Sequence, residues 1–368
     1  MSIAFNLAKK GESKSFPNPS VGCVVVECDQ NFKNDKIVGS GFTQKGGRPH
    51  AEAEALENIN FKKKKKYLCY STLEPCSHFG RDESCLKKIK KTPISQIIFA
   101  LKDPDKRMKS SKTKGSSVSG KKIRSGILKE DIIKFYEGYF LNKIKNRPKI
   151  TLKIASTLDG KITSQKKKWI SNVPSRKIVH HLRSNHDAIL VGSNTVKIDN
   201  PRLTCRIKGL ENTSPIRIVI NRKLDLPEDL HIVNDNYVKT IIVSCLKRKK
   251  VPKHLKKKNI EILNLKSEGF NLKTMLKKLS FLGISNLLVE GGAQTAGYLL
   301  KEQFVDSLMI FRNNFFVGDS ELSLVKFNGK YHEAEFKLIK HVKLKNNILE
   351  IYKSHPSLTF LKKNIELY

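Results

Sequence analysis

Tryptophan, methionine and acidic side chains are scarce in this chain. One Trp and four Met occur in 368 residues, and 34 Asp and Glu stand against 71 Lys and Arg, a formal net charge of +37. No apolar run reaches the roughly 18 residues of a membrane span, so no transmembrane helix is expected. The stretch Met1-Ser2-Ile3-Ala4-Phe5-Asn6-Leu7-Ala8-Lys9-Lys10 places its lysines after the apolar residues. A secretory signal places them before, and ends at a small-residue cleavage site. A cytoplasmic protein with no membrane partner is therefore expected. The seven cysteines, an odd number without an export signal, argue against a disulfide framework. Cys23, Cys69 and Cys245 sit in apolar strand-like runs and are predicted to be buried packing residues.

Hydrophobic residues make up 39% of the chain and aromatics 8%, which fits a folded protein and not a disordered one. At ~100–200 residues per domain, the length predicts two domains, each able to bury a core. The excess positive charge is scattered in short runs at 62–66, 166–168, 247–250 and 256–258. Such runs are usually solvated faces, so a nucleic-acid partner is not expected. A basic field would still draw phosphorylated anions toward the protein.

Apolar patterning predicts an α/β chain. Short β-branched runs at 21–26, 37–41, 66–71 and 97–101 alternate with helical segments at 3–10 and at 50–58. Pro49 and Pro75 each suit a helix start, and Gly11 a helix end. Residues 105–122, rich in Lys and Ser, are predicted as a surface loop. A helical pattern over 130–145 breaks at Arg147-Pro148, the predicted boundary between a domain of residues 1–146 and one of 147–368. Strand-like runs then follow at 150–155, 188–191, 216–220, 240–243, 260–263 and 286–289. Leu272, Met275, Leu276 and Leu279 recur at helical spacing and predict an amphipathic helix over 271–282. Residues 354–368 fit neither pattern.

The first half carries a metal-ligand pattern. His50-Ala51-Glu52 stands at one predicted helix start and Pro75-Cys76 at the next, where a thiolate would be favoured. Eight residues separate Cys76 from Cys85. One His and two Cys suit Zn²⁺, and three protein ligands leave a fourth tetrahedral position for water, the mark of a catalytic site. Zinc makes that water acidic near neutral pH, and a nearby Glu can carry its proton to a departing amine. On an ideal helix, however, His50 and Glu52 lie about 200° apart. Only a special placement at the helix mouth would bring them together.

His50-x-Glu52 followed by Pro75-Cys76 and Cys85 resembles the zinc-dependent nucleoside and nucleobase deaminases, whose usual signature is H-x-E…P-C-x-x-C. The cysteine spacing departs from that signature, with eight residues in place of two. Thr72-Leu73-Glu74-Pro75-Cys76-Ser77-His78-Phe79-Gly80-Arg81 with Cys85, and Asn18-Pro19-Ser20-Val21-Gly22 upstream, resemble the bifunctional riboflavin-biosynthesis deaminase-reductases. That resemblance implies a cytidine-deaminase-like three-layer α/β/α domain. His50, Cys76 and Cys85 would hold zinc, Glu52 would shuttle protons, and Asn18 and His78 would hold the pyrimidine or its ribose phosphate. Three departures stand out. Asp82-Glu83-Ser84 replaces the usual Thr-Pro-Pro before the second cysteine, Thr43 replaces an upstream histidine, and the glycine-rich stretch after Asp103-Pro104 is poorly kept.

The second half continues the resemblance in order. The matching segments are 151–162, Trp169-Ile170-Ser171, Leu182-Arg183, 191–196 with 199–204, and Leu288-Val289-Glu290-Gly291-Gly292-Ala293-Gln294-Thr295. In the last of these a buried strand meets two glycines and a helix start, where the backbone can approach a ligand and free N–H groups can bind phosphate. It is not G-x-G-x-x-G, so a Rossmann dinucleotide-binding domain is not supported. The resemblance implies a dihydrofolate-reductase-like α/β domain. NADPH would be contacted by Ala155, Trp169, Thr195, Asp199, Gly292, Ala293, Gln294 and Thr295. Arg183, Leu203, Arg206 and Glu290 would contact the sugar-phosphate substrate. Lys167, Arg222 and Asn313-Asn314-Phe315 depart from the family pattern.

The expected function is thus hydrolytic deamination of a phosphorylated diaminopyrimidine followed by NADPH-dependent reduction of its ribosyl group. The family also implies a homo-oligomer. The rival expectation is a tRNA or nucleic-acid deaminase with a basic accessory domain, which explains the charge but not the second-half motifs.

Overall fold

The computed structural model describes all residues except 13, 34, 79–81, 111–116, 119, 168, 247–250, 266–268, 328, 330–332 and 367–368. Phe79-Gly80-Arg81 of the deaminase-like motif, Lys168 and the basic run at 247–250 therefore lie outside the described residues. The chain divides into two compact units. One is Met1–Asn146 with Leu361–Tyr368, and the other is Arg147–Phe360.

The first unit is built on a six-stranded sheet. Its strands are β1 (Gly22–Cys28), β2 (Lys36–Phe42), β3 (Lys66–Leu73), β4 (Ile94–Leu101), β5 (Ser117–Val118) and β6 (Lys121–Ser125), in the order β2-β1-β3-β4-β6-β5. β1 runs antiparallel to both neighbours, while β3, β4 and β6 are parallel. Helices α1 (Ser2–Gly11), α2 (Ala51–Leu56), α3 (Cys85–Lys90), α4 (Lys129–Phe135) and α5 (Glu137–Lys145) accompany it.

Glycines place helices on both faces. A Cβ on Gly22 would meet the Ala4 carbonyl of α1 at 1.9 Å, so α1 lies directly on that face of β1. Gly39 and Gly41 of β2 pair with Val25 and Cys23, whose side chains share the opposite face. There a Cβ on Gly41 would meet the Ala51 carbonyl at 2.6 Å, and one on Gly39 the Ala55 carbonyl at 2.1 Å. Helix α2 thus packs against bare backbone on the second face, which gives a three-layer α/β/α arrangement. Cys23, Val25 and Cys69 are fully buried between the layers. Cys245, predicted buried, is only partly so.

The second unit carries a nine-stranded sheet. Its strands are β7 (Lys149–Ser156), β8 (Ala188–Gly192), β9 (Ile216–Ile220), β10 (Thr240–Ser244), β11 (Ile260–Asn264), β12 (Asn286–Val289), β13 (Ser307–Asn313), β14 (Phe336–Leu344) and β15 (Asn347–Ser354). The order is β11-β10-β9-β8-β12-β7-β13-β15-β14, parallel from β11 to β13, with β15 and β14 an antiparallel edge. The central strands read as continuous apolar runs because both faces are covered. Ile189, Val191, Val219, Ile242 and Leu288 form one core with Leu226, Ile232 and Val233. Helices α6 (Val173–Ser184), α7 (Ser193–Asp199), α8 (His231–Asn234), α9 (Leu272–Phe281) and α10 (Ala293–Lys301) belong to this unit. Among the described residues, no helix is long and apolar enough to cross a membrane.

Four sequence-based expectations need correction. Pro49 precedes α2 instead of opening it, and the helix ends at Leu56. Cys76 starts no helix; it lies in the loop after β3, and the next helix begins at Cys85. The segment 105–122 is not all loop, since β5 and the start of β6 fall within it. The unplaced tail forms α11 (His355–Glu366), which buries Ser357, Leu361 and Asn364 at helical spacing. Its last residues group with the first unit, where Lys129 donates to the Ile365 carbonyl at 3.2 Å.

Candidate active sites

His50 is the N-cap of α2, with extended backbone angles of −71° and 156°. The helical wheel therefore does not apply to it, and its ring can turn to the same side as Glu52 in the first turn. Cys85 opens α3, whose cap Ser84 accepts from the Lys87 amide at 3.3 Å. Cys76 arrives on the loop after β3. His50 Nδ1 lies 3.3 Å from Cys85 Sγ and 3.6 Å from Cys76 Sγ, and the Cys85 amide donates to Cys76 Sγ at 3.3 Å. The three ligand atoms lie within 4.8 Å of one another. One imidazole nitrogen and two sulfurs at these separations fit a tetrahedral Zn²⁺ with an open position. The Cys85 hydrogen bonds and the adjoining His50 ring hold the Cys76 thiol down to about 4, ready to ligate as thiolate.

Glu52 is 3% exposed. Burial pushes its carboxyl above the ordinary value, and the neighbouring Cys76 sulfur adds to this. Ser71 Oγ of β3 donates to Glu52 Oε1 at 3.0 Å and fixes its orientation. Such a carboxyl is suited to moving protons near neutral pH. His78 Nδ1 is buried with no hydrogen-bond partner among the described residues. The Asn18 amide donates to the Gly47 carbonyl at 3.0 Å, three residues before His50. The two carboxylates in the departing segment are already paired, Asp82 with Arg48 and Glu83 with Lys87 and Lys91. Thr43 serves the frame, its hydroxyl accepting from the Val21 amide at 2.8 Å.

In the second unit, β8 and β12 lie side by side and each runs into a helix capped by glycine, Gly192 for α7 and Gly292 for α10. The carboxyl ends of parallel strands are where such sheets bind ligands. A Cβ on Gly291 would meet Thr295 Cβ at 2.7 Å, and one on Gly192 would meet Thr295 Oγ1 at 3.1 Å. Thr195 Oγ1 would lie 3.5 Å from a Cβ on Gly292. Thr195, Gly292 and Thr295 are thus gathered in one cradle, with Ala293 and Gln294 in the first turn of α10. The N–H groups of that turn have no partner within the helix. A bare-backbone cradle with free donors fits the phosphates of NADPH. Ala155 lies at the carboxyl end of β7, next to β12. Asp199 ends α7. Trp169 is 58% exposed, so it is not a core residue; the Arg176 guanidinium lies 5.3 Å from its ring.

Beside the cradle, Arg183 of α6 grips Glu290 with two hydrogen bonds of 2.8 and 3.0 Å. Lys153 of β7 reaches the same carboxylate at 3.4 Å. Burial alone would raise the Glu290 carboxyl, but the two cations outweigh it and hold it at about 2. Arg183 also donates to the Thr204 carbonyl at 3.1 Å. Leu203 is buried with φ of 56°, and Arg206 follows three residues later with its side chain exposed. Lys153 was missed on sequence, although a lysine inside the apolar run 150–155 is itself a signal. Two departures from the family pattern meet in space, since Lys167 Nζ stands 3.9 Å over the Phe315 ring.

The comparisons with known proteins bear on both units. Residues 1–101 match the cytidine and deoxycytidylate deaminase zinc-binding region, and 148–349 match the RibD C-terminal domain. The riboflavin biosynthesis protein RibD of Aquifex aeolicus is 40% identical over 313 residues, covering 84% of this chain and 85% of that protein. The chain belongs to the RibD family. RibD of Bacillus amyloliquefaciens is 32% identical, covering 86% of this chain and 84% of its own length. A solved structure of Acinetobacter baumannii RibD superposes with a TM-score of 0.81 at 26% identity, over 96% of this chain and 97% of that one. A Thermotoga maritima diaminohydroxyphosphoribosylaminopyrimidine deaminase/5-amino-6-(5-phosphoribosylamino)uracil reductase does so at 0.80 and 28%, over the same shares. The chain is accordingly a bifunctional deaminase-reductase of riboflavin biosynthesis, with zinc in the first unit and NADPH in the second as cofactors. The match across 148–349 does not favour the alternative of a nucleic-acid deaminase with a basic accessory domain.

Proposed function

We propose that the first unit hydrolyses the amino group of 2,5-diamino-6-(5-phosphoribosylamino)pyrimidin-4-one, and that the second reduces the ribosyl group of the product to ribityl. The observation that carries this reading is the buried Glu52 beside the His50–Cys76–Cys85 triangle. When bound, zinc polarises the attacking water, and NADPH supplies the hydride. Glu52 carries a proton from that water to the departing amino group, which leaves as ammonia. Ser71 keeps the carboxylate aimed. His78, with its unpartnered Nδ1, and Asn18 are the donors and acceptors for the pyrimidine and its ribose phosphate.

In the second unit, Gly292, Ala293, Gln294, Thr195 and Thr295 cradle the cofactor, with Ala155, Asp199 and Trp169 along it. Arg183, Leu203, Arg206 and Glu290 hold the sugar phosphate, and Lys153 keeps Glu290 charged. The deaminase spans residues 1–146 and the reductase most of the rest. The same reading makes the protein cytoplasmic and homo-oligomeric, with a small phosphorylated substrate and no nucleic-acid partner.

Glu52→Gln tests the first half directly. The amide keeps the shape, and Glu52 is not a ligand. Bound zinc measured by atomic absorption is expected to match the parent, while ammonia release falls by about a thousandfold. Ammonia release at the parent rate would sink the mechanism.

A further inference from the structure

Helix α6 presents two side chains, one turn apart, to the loop that follows α7: Arg183 and His180. Both meet that loop's backbone. His180 Nδ1 lies 3.2 Å from the Thr204 carbonyl, and the Arg206 amide donates to the same nitrogen at 3.3 Å. One nitrogen cannot both donate and accept in the neutral ring. The Thr204 carbonyl already accepts from Arg183 Nη1 at 3.1 Å, whereas the Arg206 amide is shown donating to His180 Nδ1. The acceptor role of Nδ1 is therefore the one that leaves both backbone groups satisfied. Burial and the guanidiniums of Arg183 and Arg206 hold the ring at about 4, which keeps it neutral and its Nδ1 lone pair free.

Arg206 needs such an anchor. The residue is exposed overall, and it stands near Arg183 and Arg202; partial burial first, and then these like charges, lower its affinity for a proton. Repulsion would swing a long, flexible side chain outward unless its root were held. The preceding turn, with Leu203 at positive φ, sets the direction of the backbone but cannot hold the Arg206 amide itself.

We propose that His180 is a positioning residue for the reductase substrate: its Nδ1 pins the Arg206 backbone, so that the Arg183 and Arg206 guanidiniums converge on the substrate's phosphate. This rests on the reading that the second unit takes a phosphorylated ribosylamino-uracil. Among the described residues, the hydrogen bonds of His180 run to the backbone of Thr204 and Arg206 and not to the cofactor cradle, so it is expected to act on binding and not on the chemical step.

The test is steady-state reduction of that uracil by the full-length, zinc-loaded chain, with NADPH saturating. His180→Ala is expected to raise KM about tenfold while kcat stays within about twofold. His180→Asn, whose Oδ1 can stand in for Nδ1, is expected to stay within about threefold of the parent KM. Arg206→Ala raises KM more, and adding His180→Ala to it raises KM no further, because the two act through one contact. The Kd for NADPH is unchanged in all variants, which shows that the unit is folded. An unchanged KM in Arg206→Ala overturns the phosphate reading and the His180 role together. A raised KM there with an unchanged KM in His180→Ala overturns only the His180 role. Additive effects in the double variant, or failure of His180→Asn to restore binding in a protein that still binds NADPH, also overturn it.

Discussion

Glu290 shows how single side chains in this protein take their properties from their neighbours. A carboxylate buried alone would be neutral; between Arg183 and Lys153 it stays charged, held at about 2. The stabilisation from an acid held below its usual range is fully present above the unfolded value of 4.5 and is lost as pH falls toward 2. Arg183→Ala leaves a buried charge half paired, and is expected to lower the stability of the second unit by about 3 kcal/mol at pH 7. Urea unfolding at pH 7 and pH 3 checks this: the gap between parent and variant narrows at the lower pH. A gap that stays constant would contradict the assignment. At this scale much was legible. His50, Cys76 and Cys85, expected as ligands because zinc suits those residue types, lie together in the structure, with Glu52 buried nearby. Lys153 stood out only as a lysine inside an apolar run, and His180 not at all, because which neighbour a strand or helix turns them toward is not written in the sequence.

Among the elements, α2 matters most to the first unit. It presents Glu52 and is capped by His50, and it lies against β2 at two glycines. Gly41→Ala would put a Cβ 2.6 Å from the Ala51 carbonyl and 2.7 Å from the Ala55 amide, both backbone atoms that can yield only if the helix moves. A shift of about 1 Å at a catalytic group can cost about a hundredfold. Ammonia release by this variant is expected to fall by that order, with reduction of the uracil intermediate unaffected. Equal loss of both activities would point to global unfolding instead.

The buried central strands were legible from their apolar runs, but β5, β6 and β13 to β15 were not read as strands. Helix starts were less legible. Pro75 suits a first helical turn, yet the next helix waits until Cys85, where Ser84 supplies the cap. Helix α11 was missed because its buried side, Ser357, Leu361 and Asn364, is mostly polar and carries no apolar period to read.

Across the whole molecule, the rival that the large positive charge invited, a nucleic-acid deaminase with a basic accessory domain, is not favoured by the family match over residues 148–349. Zinc ligands in one unit and a glycine cradle in the other are two different chemistries carried on one chain. Under the proposed function the product of the first is the substrate of the second, so a single mixture reports on both. The most direct test combines zinc-loaded protein, the diaminopyrimidine ribosylamino phosphate and NADPH, with NADPH absorbance and ammonia followed together. Ammonia release and an absorbance loss that requires the substrate are predicted. Removing zinc with a chelator should abolish both, and adding the uracil intermediate should restore the absorbance loss alone. Absorbance loss from the diaminopyrimidine in the chelated protein, or no ammonia from the zinc-loaded one, would contradict the account.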